Sequence, residues 1–135
     1  MNVDYKSRDR LETEEVISLY EANGWSSAQK PDTLMRALEN SHSLISARVL
    51  RRLVGLGNAI SDGHLVVYYP HLLVHPEFHR KGIGRGIMTR LMGTYAGFHQ
   101  QQLTADRDAI LFYESLGFER AGQTEPMWIY QGKEH

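Results

Sequence analysis

His75-Pro76-Glu77-Phe78-His79-Arg80-Lys81-Gly82-Ile83-Gly84-Arg85-Gly86 joins an apolar run, Leu72-Leu73-Val74, to an amphipathic stretch that begins near Ile83. A strand that ends in a glycine-rich, basic turn and opens a helix is a candidate pyrophosphate cradle. Glycines let backbone N–H groups approach an anion closely, and the unpaired amides of a helix's first turn point at it. Arg80, Lys81 and Arg85 add positive charge to the same turn.

Working outward, the run before the turn predicts a long apolar strand over residues 65–74. Pro70 sits inside it, and because proline cannot donate to a ladder it predicts a bulge or a sheet edge there. After the turn, Ile83, Ile87, Leu91 and Tyr95 recur at four-residue steps with Met88 and Met92 beside them, which predicts a helix closed by Gly97. Upstream, helices are expected over 13–23, stopped by Asn23-Gly24, and over 31–40, opened by Pro31 and burying Leu34, Ala37 and Leu38. Strands are expected over 3–6, 43–50 and 53–61, with turns at Arg51-Arg52 and Asp62-Gly63. Downstream come a short strand over 101–105, a helix over 108–116 stopped by Gly117, and final strands over 118–120 and 127–131.

The 135-residue chain fits one domain, residues 1–135, and its 41% apolar and 23% charged content is ordinary for a globular protein. A net charge of −1 gives no bulk positive field to draw the chain to nucleic acid or anionic lipid, so neither is an expected partner. There is no cysteine, which removes disulfides, thiolate zinc sites and any acyl-cysteine intermediate. The first residues lack an apolar signal core and no apolar run reaches ~18–20 residues, so a cytoplasmic protein without a membrane span is expected.

The second informative segment is Ala109-Ile110-Leu111-Phe112-Tyr113-Glu114-Ser115-Leu116-Gly117-Phe118. In this order, the two segments resemble the GCN5-related N-acetyltransferase (GNAT) family. That family's first motif reads Gln/Arg-x-x-Gly-x-Gly/Ala after Val-x-Pro-x-x, and its second reads Phe-Tyr-Glu-x-Leu-Gly-Phe. Val74-x-Pro76 and Gly82-x-Gly84 fit the first, with His79 departing at the leading position, and the second is matched in full. The resemblance implies an α/β fold in the order β-α-α-β-β-β-α-β-α-β-β, with a mixed central sheet flanked by helices. It implies acetyl-CoA as cosubstrate, with His79, Arg80, Lys81, Gly82, Ile83, Gly84, Arg85 and Gly86 at the pyrophosphate. It further implies a splayed strand whose backbone groups at Leu72, Leu73 and Val74 pair with pantetheine and polarise the thioester carbonyl, and Tyr113 as the acid that protonates the CoA thiolate. A homodimer is a family-level expectation.

Competing anion sites fail on detail. A dinucleotide fold needs its third glycine at 87, not 86, and an acidic strand end ~20 residues on, and the phosphate loop G-x-x-x-x-G-K-[ST] is absent. His71, His75 and His79 are spaced for one helical face, but Pro76 divides them, which argues against a metal site. His71 flanks the predicted bulge and is a candidate base for an ammonium acceptor, directly or through water. Asp62, at the preceding hairpin, is the other candidate.

A narrower likeness, carried by Ser41-His42-Ser43-Leu44, Ser61-Asp62-Gly63, Ala105-Asp106 and Met127-Trp128, is to the plant and microbial branch that includes arylalkylamine acetyltransferases. That branch has Trp-Asp where this chain has Pro70-His71. Trp25, Trp128 and Tyr130 are candidates for an aromatic acceptor pocket, with core packing as the other reading. The expected activity is transfer of acetyl to a primary amine, on a small molecule or a peptide, by direct attack in a ternary complex. An acyl-CoA sensor lacking a competent base and a partner-binding adaptor are the alternatives.

Overall fold

The computed structural model describes residues 1–133. Strand β1 (Asp4–Ser7) leads through helices α1 (Thr13–Ala22) and α2 (Pro31–Glu39) to the hairpin of β2 (Ser43–Val49) and β3 (Arg52–Ser61). Strands β4 (Val66–Tyr68) and β5 (Leu72–Val74) follow, then α3 (Ile83–Thr94), β6 (Gln100–Gln102) and α4 (Ile110–Ser115). The sheet order is β1-β2-β3-β4-β6, with β5 also paired to β3. Every pairing is antiparallel except that of β4 with β6. Among the described residues, no helix is long and apolar enough to cross a membrane.

Strand β3 is the spine, buried from Leu53 to Ala59 because helices cover both of its faces. On one side α3 lays down Ile83, Ile87, Met88, Leu91 and Tyr95, the stripe expected from the four-residue spacing, over Ala47, Val54, Ala59 and Val67. On the other side Val16, Leu19, Tyr20, Leu34 and Leu38 of α1 and α2 pack on Leu44, Leu53, Leu56 and Leu73. Ala37 faces solvent instead of this core. Arg48 of β2 pins the start of α1 through Asp9 (2.8 Å) and Glu15 (2.7 Å), fixing the helix that carries Tyr20 to the site described below.

Helix α3 sits close to the sheet because β3 offers Gly55 and Gly57 beneath it. A methyl group at Gly57 would lie 2.6 Å from Cγ2 of Ile87 and 3.1 Å from Cδ1 of Leu91. Gly57→Ala should therefore cost about 1–3 kcal/mol by overpacking. Urea unfolding checks this: the midpoint should fall while the slope with denaturant is unchanged.

Three expectations need correction. The tight turn of the β2–β3 hairpin is Leu50-Arg51, both at positive φ (48° and 70°), one residue earlier than read, as a two-residue primed turn requires. The single long strand is two short ones, parted at Tyr69-Pro70-His71. The two final strands do not form. Residues 118–120 and 127–131 pair with no strand, and the backbone bonds of this stretch include the turn contacts Gly122 N to Arg120 O and Thr124 N to Ala121 O. The open edge there is β6, whose Gln100-Gln101-Gln102 offers no apolar face for Met127 and Ile129 to pack on, and both are over nine-tenths exposed.

Candidate active site

The basic turn is built by a single turn of 3-10 helix at Pro76–Phe78, capped by the His75 ring, whose Nδ1 accepts from Glu77 N (3.1 Å). The chain then reverses through two left-handed residues, Arg80 (φ 63°) and Gly82 (φ 81°), the second immediately before α3. This aims the first-turn amides of α3 back over the turn, where Arg80 and Lys81 are exposed. Arg85 is drawn aside: its guanidinium donates to Ser115 Oγ (2.6 Å) and so ties α3 to α4. Gly86 answers to packing, since a methyl group there would run into the Tyr5 ring and hydroxyl. The sequence alone could not separate that reason from an anion-binding one.

Between β4 and β5 the register changes. Ile60 pairs with Tyr68 and Gly57 with Leu72, so two residues of β3, Asn58 and Ala59, oppose three, Tyr69, Pro70 and His71. This is the bulge that Pro70 predicts. Tyr69 N still reaches Gln102 O of β6 (3.0 Å), but β5 pairs with β3 alone, so the sheet splays at this point. His75 N donates to Val54 O and Asn58 N to His71 O. By the alternation of a strand, Leu73 therefore lies in the ladder, while the backbone groups of Leu72 and Val74 turn toward the splay. Of the three residues expected to offer backbone groups there, Leu73 is committed to β3. The Val74 carbonyl is met by His79 Nε2 at 2.7 Å.

Helix α4 closes the far side of the splay. The bare Cα of Gly84 leaves room for the Phe112 ring, and a methyl there would lie 3.6 Å from that ring, 3.8 Å from Val74 Cγ2 and 4.0 Å from Leu72 Cδ2. Tyr113 follows Phe112, held edge-on by the rings of Phe112 and Phe118. Burial, with the nearby negative charge of Asp106, pushes its hydroxyl up to about 12, so it stays protonated at any physiological pH.

On the other side of the bulge lies a cavity of about 790 Å³, walled by Trp25, Tyr68, Pro70, His71, Trp128 and Tyr130, with Asp106 at its edge. Trp25, Trp128 and Tyr130 thus come together, Trp128 stacking on Tyr130. Tyr68 was not singled out from the sequence, and Asp106 was noted only within the Ala105-Asp106 likeness and not as a site residue; their chain positions, at the end of β4 and in the loop after β6, were the other signal. His71 Nδ1 lies 2.7 Å from the Tyr20 hydroxyl, and burial lowers its pKa to about 4. Asp62 is elsewhere. Its Oδ1 accepts from the backbone N–H groups of His64, Leu65 and Val66, it is fully exposed, and those bonds hold its carboxyl below the usual range. The rings of His71, His75 and His79 turn to three different partners.

The His71 shift has a sign. Between about pH 4 and 6.5 the unfolded chain binds the proton that the folded chain refuses, so stability rises with pH through that window and is flat above it. Lowering the pH from 6.5 to 4 should remove roughly 2–3 kcal/mol through this group. The wild-type melting temperature should fall across that window more steeply than that of His71→Gln.

Known proteins match this geometry. Residues 9–127 fit the family model described as the acetyltransferase (GNAT) domain. An uncharacterised N-acetyltransferase of Porphyra purpurea is 27% identical, over 84% of this chain and 75% of its own. A solved GNAT family acetyltransferase of Streptococcus pneumoniae is 30% identical over 96% of this chain and 99% of its own, with a TM-score of 0.83. An aminoglycoside N-acetyltransferase solved in complex with CoA shares the fold at 16% identity and a TM-score of 0.69, over 96% of this chain and 94% of its own. Fold, glycine turn and sequence agree: the chain belongs to the GNAT family of acetyltransferases.

Proposed function

We propose that the protein transfers acetyl from acetyl-CoA to a primary amine by direct attack. The observation that carries this reading is the splay between β4 and β5, which opens between a basic glycine turn on one side and an aromatic cavity on the other. The residues fit acetyl-CoA: first-turn amides of α3 with Arg80 and Lys81 for the pyrophosphate, and outward backbone groups of Leu72 and Val74 for the pantetheine. His79 must release the Val74 carbonyl for the pantetheine to reach it. The amine nitrogen forms its bond to the acetyl carbon as the carbon–sulfur bond breaks, Leu72 N–H steadies the carbonyl oxygen, and Tyr113 gives its proton to the leaving thiolate; the acylated nitrogen sheds its extra proton to solvent, and solvent returns one to Tyr113.

The acceptor's own proton is the remaining account. An efficient base titrates near the working pH, whereas His71 is pushed to about 4 and Asp62 lies in a turn outside the cavity wall. With the Tyr20 hydroxyl as the donor in its 2.7 Å contact with His71 Nδ1, the neutral ring carries its hydrogen on Nε2 and presents a donor there. The amine therefore reacts as the fraction already neutral in solution, with Asp106 drawing the ammonium form to the cavity mouth. None of the relatives quoted is named for an arylalkylamine acceptor. The acceptor is read from the cavity: an amine on a flat body that Trp25, Tyr68, Trp128 and Tyr130 can sandwich.

The test is CoA release from acetyl-CoA across arylalkylamines, polyamines, aminoglycosides, amino acids and peptide N-termini. Saturable release with a flat amine is expected, and its acid limb should move with the acceptor's pKa when two amines are compared. The missing base favours one rival, a sensor that binds acyl-CoA without turnover. Binding with silence across the panel would establish the sensor, and silence without binding would overturn both.

A further inference from the structure

A buried polar chain stands behind the bulge, outside the groups assigned above. In a regular antiparallel pair His71 N would donate to the main-chain carbonyl of Asn58. It donates instead to the side-chain Oδ1 of Asn58, at 3.1 Å. Asn58 Nδ2 donates to Ser41 Oγ at 2.9 Å, and Ser41 Oγ donates to Ala37 O at 2.9 Å. Asn58 and Ser41 are each 4% exposed. Because the Ser41 hydrogen is spent on Ala37 O, its oxygen can only accept, so the Asn58 amide must turn Nδ2 to Ser41 and Oδ1 to His71. The last turn of α2 thereby dictates which way the amide faces.

We propose that Asn58 is a positioning residue for acetyl transfer: its side-chain amide clamps the bulge, and so aims the Leu72 N–H at the acyl carbonyl and holds the His71 ring in the cavity wall. The proposal rests on the acetyltransferase reading given above. Three observations support it. The clamp falls at the one place where the β3 pairing with β4 and β5 changes register. His71 is tied twice, at its main-chain nitrogen by Asn58 and at its ring by Tyr20, so both the backbone and the side chain at the bulge are set. Leu72 N–H shares its peptide with His71 O, which the Asn58 main-chain N–H holds at 3.1 Å, so with the side-chain clamp on His71 N the two peptides flanking the His71 Cα are both fixed by Asn58, and loss of the clamp frees the first and lets the second tilt.

The test compares Asn58→Leu, which keeps the bulk and removes the acceptor, with Asn58→Asp, which keeps an oxygen for His71 N–H. The chosen amine and acetyl-CoA are the substrates. For Asn58→Leu, kcat should fall roughly tenfold to a hundredfold, the cost of a misplaced reacting group, while the Kd for CoA stays within about threefold. Asn58→Asp should retain kcat within about threefold of wild type, since burial favours the protonated carboxyl, whose carbonyl oxygen accepts from His71 N–H and whose hydroxyl donates to Ser41 Oγ as Nδ2 did. Unchanged kcat in folded Asn58→Leu would overturn the proposal, as would a parallel loss of CoA binding and kcat in both variants. Should Asn58→Leu fail to fold, Ser41→Ala removes only the group that orients the amide and should lower kcat in the same sense; unchanged kcat there overturns it too. If the wild type itself shows no turnover, the acetyltransferase reading fails separately. The clamp is then judged by the ring nitrogen resonances of His71, which should move in Asn58→Leu or Ser41→Ala and hold in Asn58→Asp, and unmoved resonances would overturn it.

Discussion

Tyr113→Phe should lower kcat about a hundredfold or more while leaving the affinity for acetyl-CoA nearly unchanged. The substitution removes one oxygen and keeps the ring, so the edge-on contacts with Phe112 and Phe118 survive and α4 stays in place. What is lost is the only proton assigned to the departing thiolate. The same group makes a second expectation. Because burial and Asp106 hold the Tyr113 hydroxyl protonated up to about 12, wild-type activity should show no alkaline loss from this residue below that pH. A downward limb near pH 9 that vanishes in Tyr113→Phe would show a hydroxyl far more acidic than its surroundings allow. Equal kcat in the two proteins would remove Tyr113 from the mechanism.

The second large effect is expected at the turn. Gly82 holds φ 81° with open space around its Cα, so conformation and not bulk is the constraint there. Gly82→Val should raise the Kd for acetyl-CoA about tenfold to a hundredfold, because a β-branched residue pays 1–3 kcal/mol to stay left-handed and the turn rearranges instead. Gly82→Asn should bind almost normally, since asparagine tolerates this region and neither the space nor the charge is altered. Isothermal titration with acetyl-CoA separates the two. Equal weakening by Val and Asn would mean that the side chain itself blocks the ligand, and equal tolerance would take the turn out of the binding site.

Both positions were legible in the sequence because their signals are local. The glycine turn, the Phe-Tyr-Glu-x-Leu-Gly-Phe box and the α3 stripe are contiguous or periodic, and each dictates its own structure before any partner arrives. Pro70 forecast a break for the same reason, since a missing N–H is a property of one residue. The cavity was legible only in part. Trp25 and Trp128 stand at opposite ends of the chain, and no spacing could announce that they share a wall with Asp106. His71 drew notice as a titratable group beside the bulge, yet its pKa is set by burial against Tyr20 and Trp25 of the first helical layer. The final strands were misread because a short apolar run such as Met127-Trp128-Ile129-Tyr130 is a local sign of a strand. A strand is stable only beside another, and the segment beyond Gly117 does not pair with the open edge of β6.

Main-chain hydrogen bonds are common property: apart from proline, every amino acid supplies the same N–H and carbonyl, so a regular ladder is passed on intact through almost any change of sequence. At His71 the sheet has exchanged one such bond for a side-chain amide. That makes the bulge a stretch of the β3 ladder that a single codon can rewrite. A lineage descending from this chain can redraw the ground between the glycine turn and the aromatic cavity by changing Asn58, and leave the strands on either side where they are.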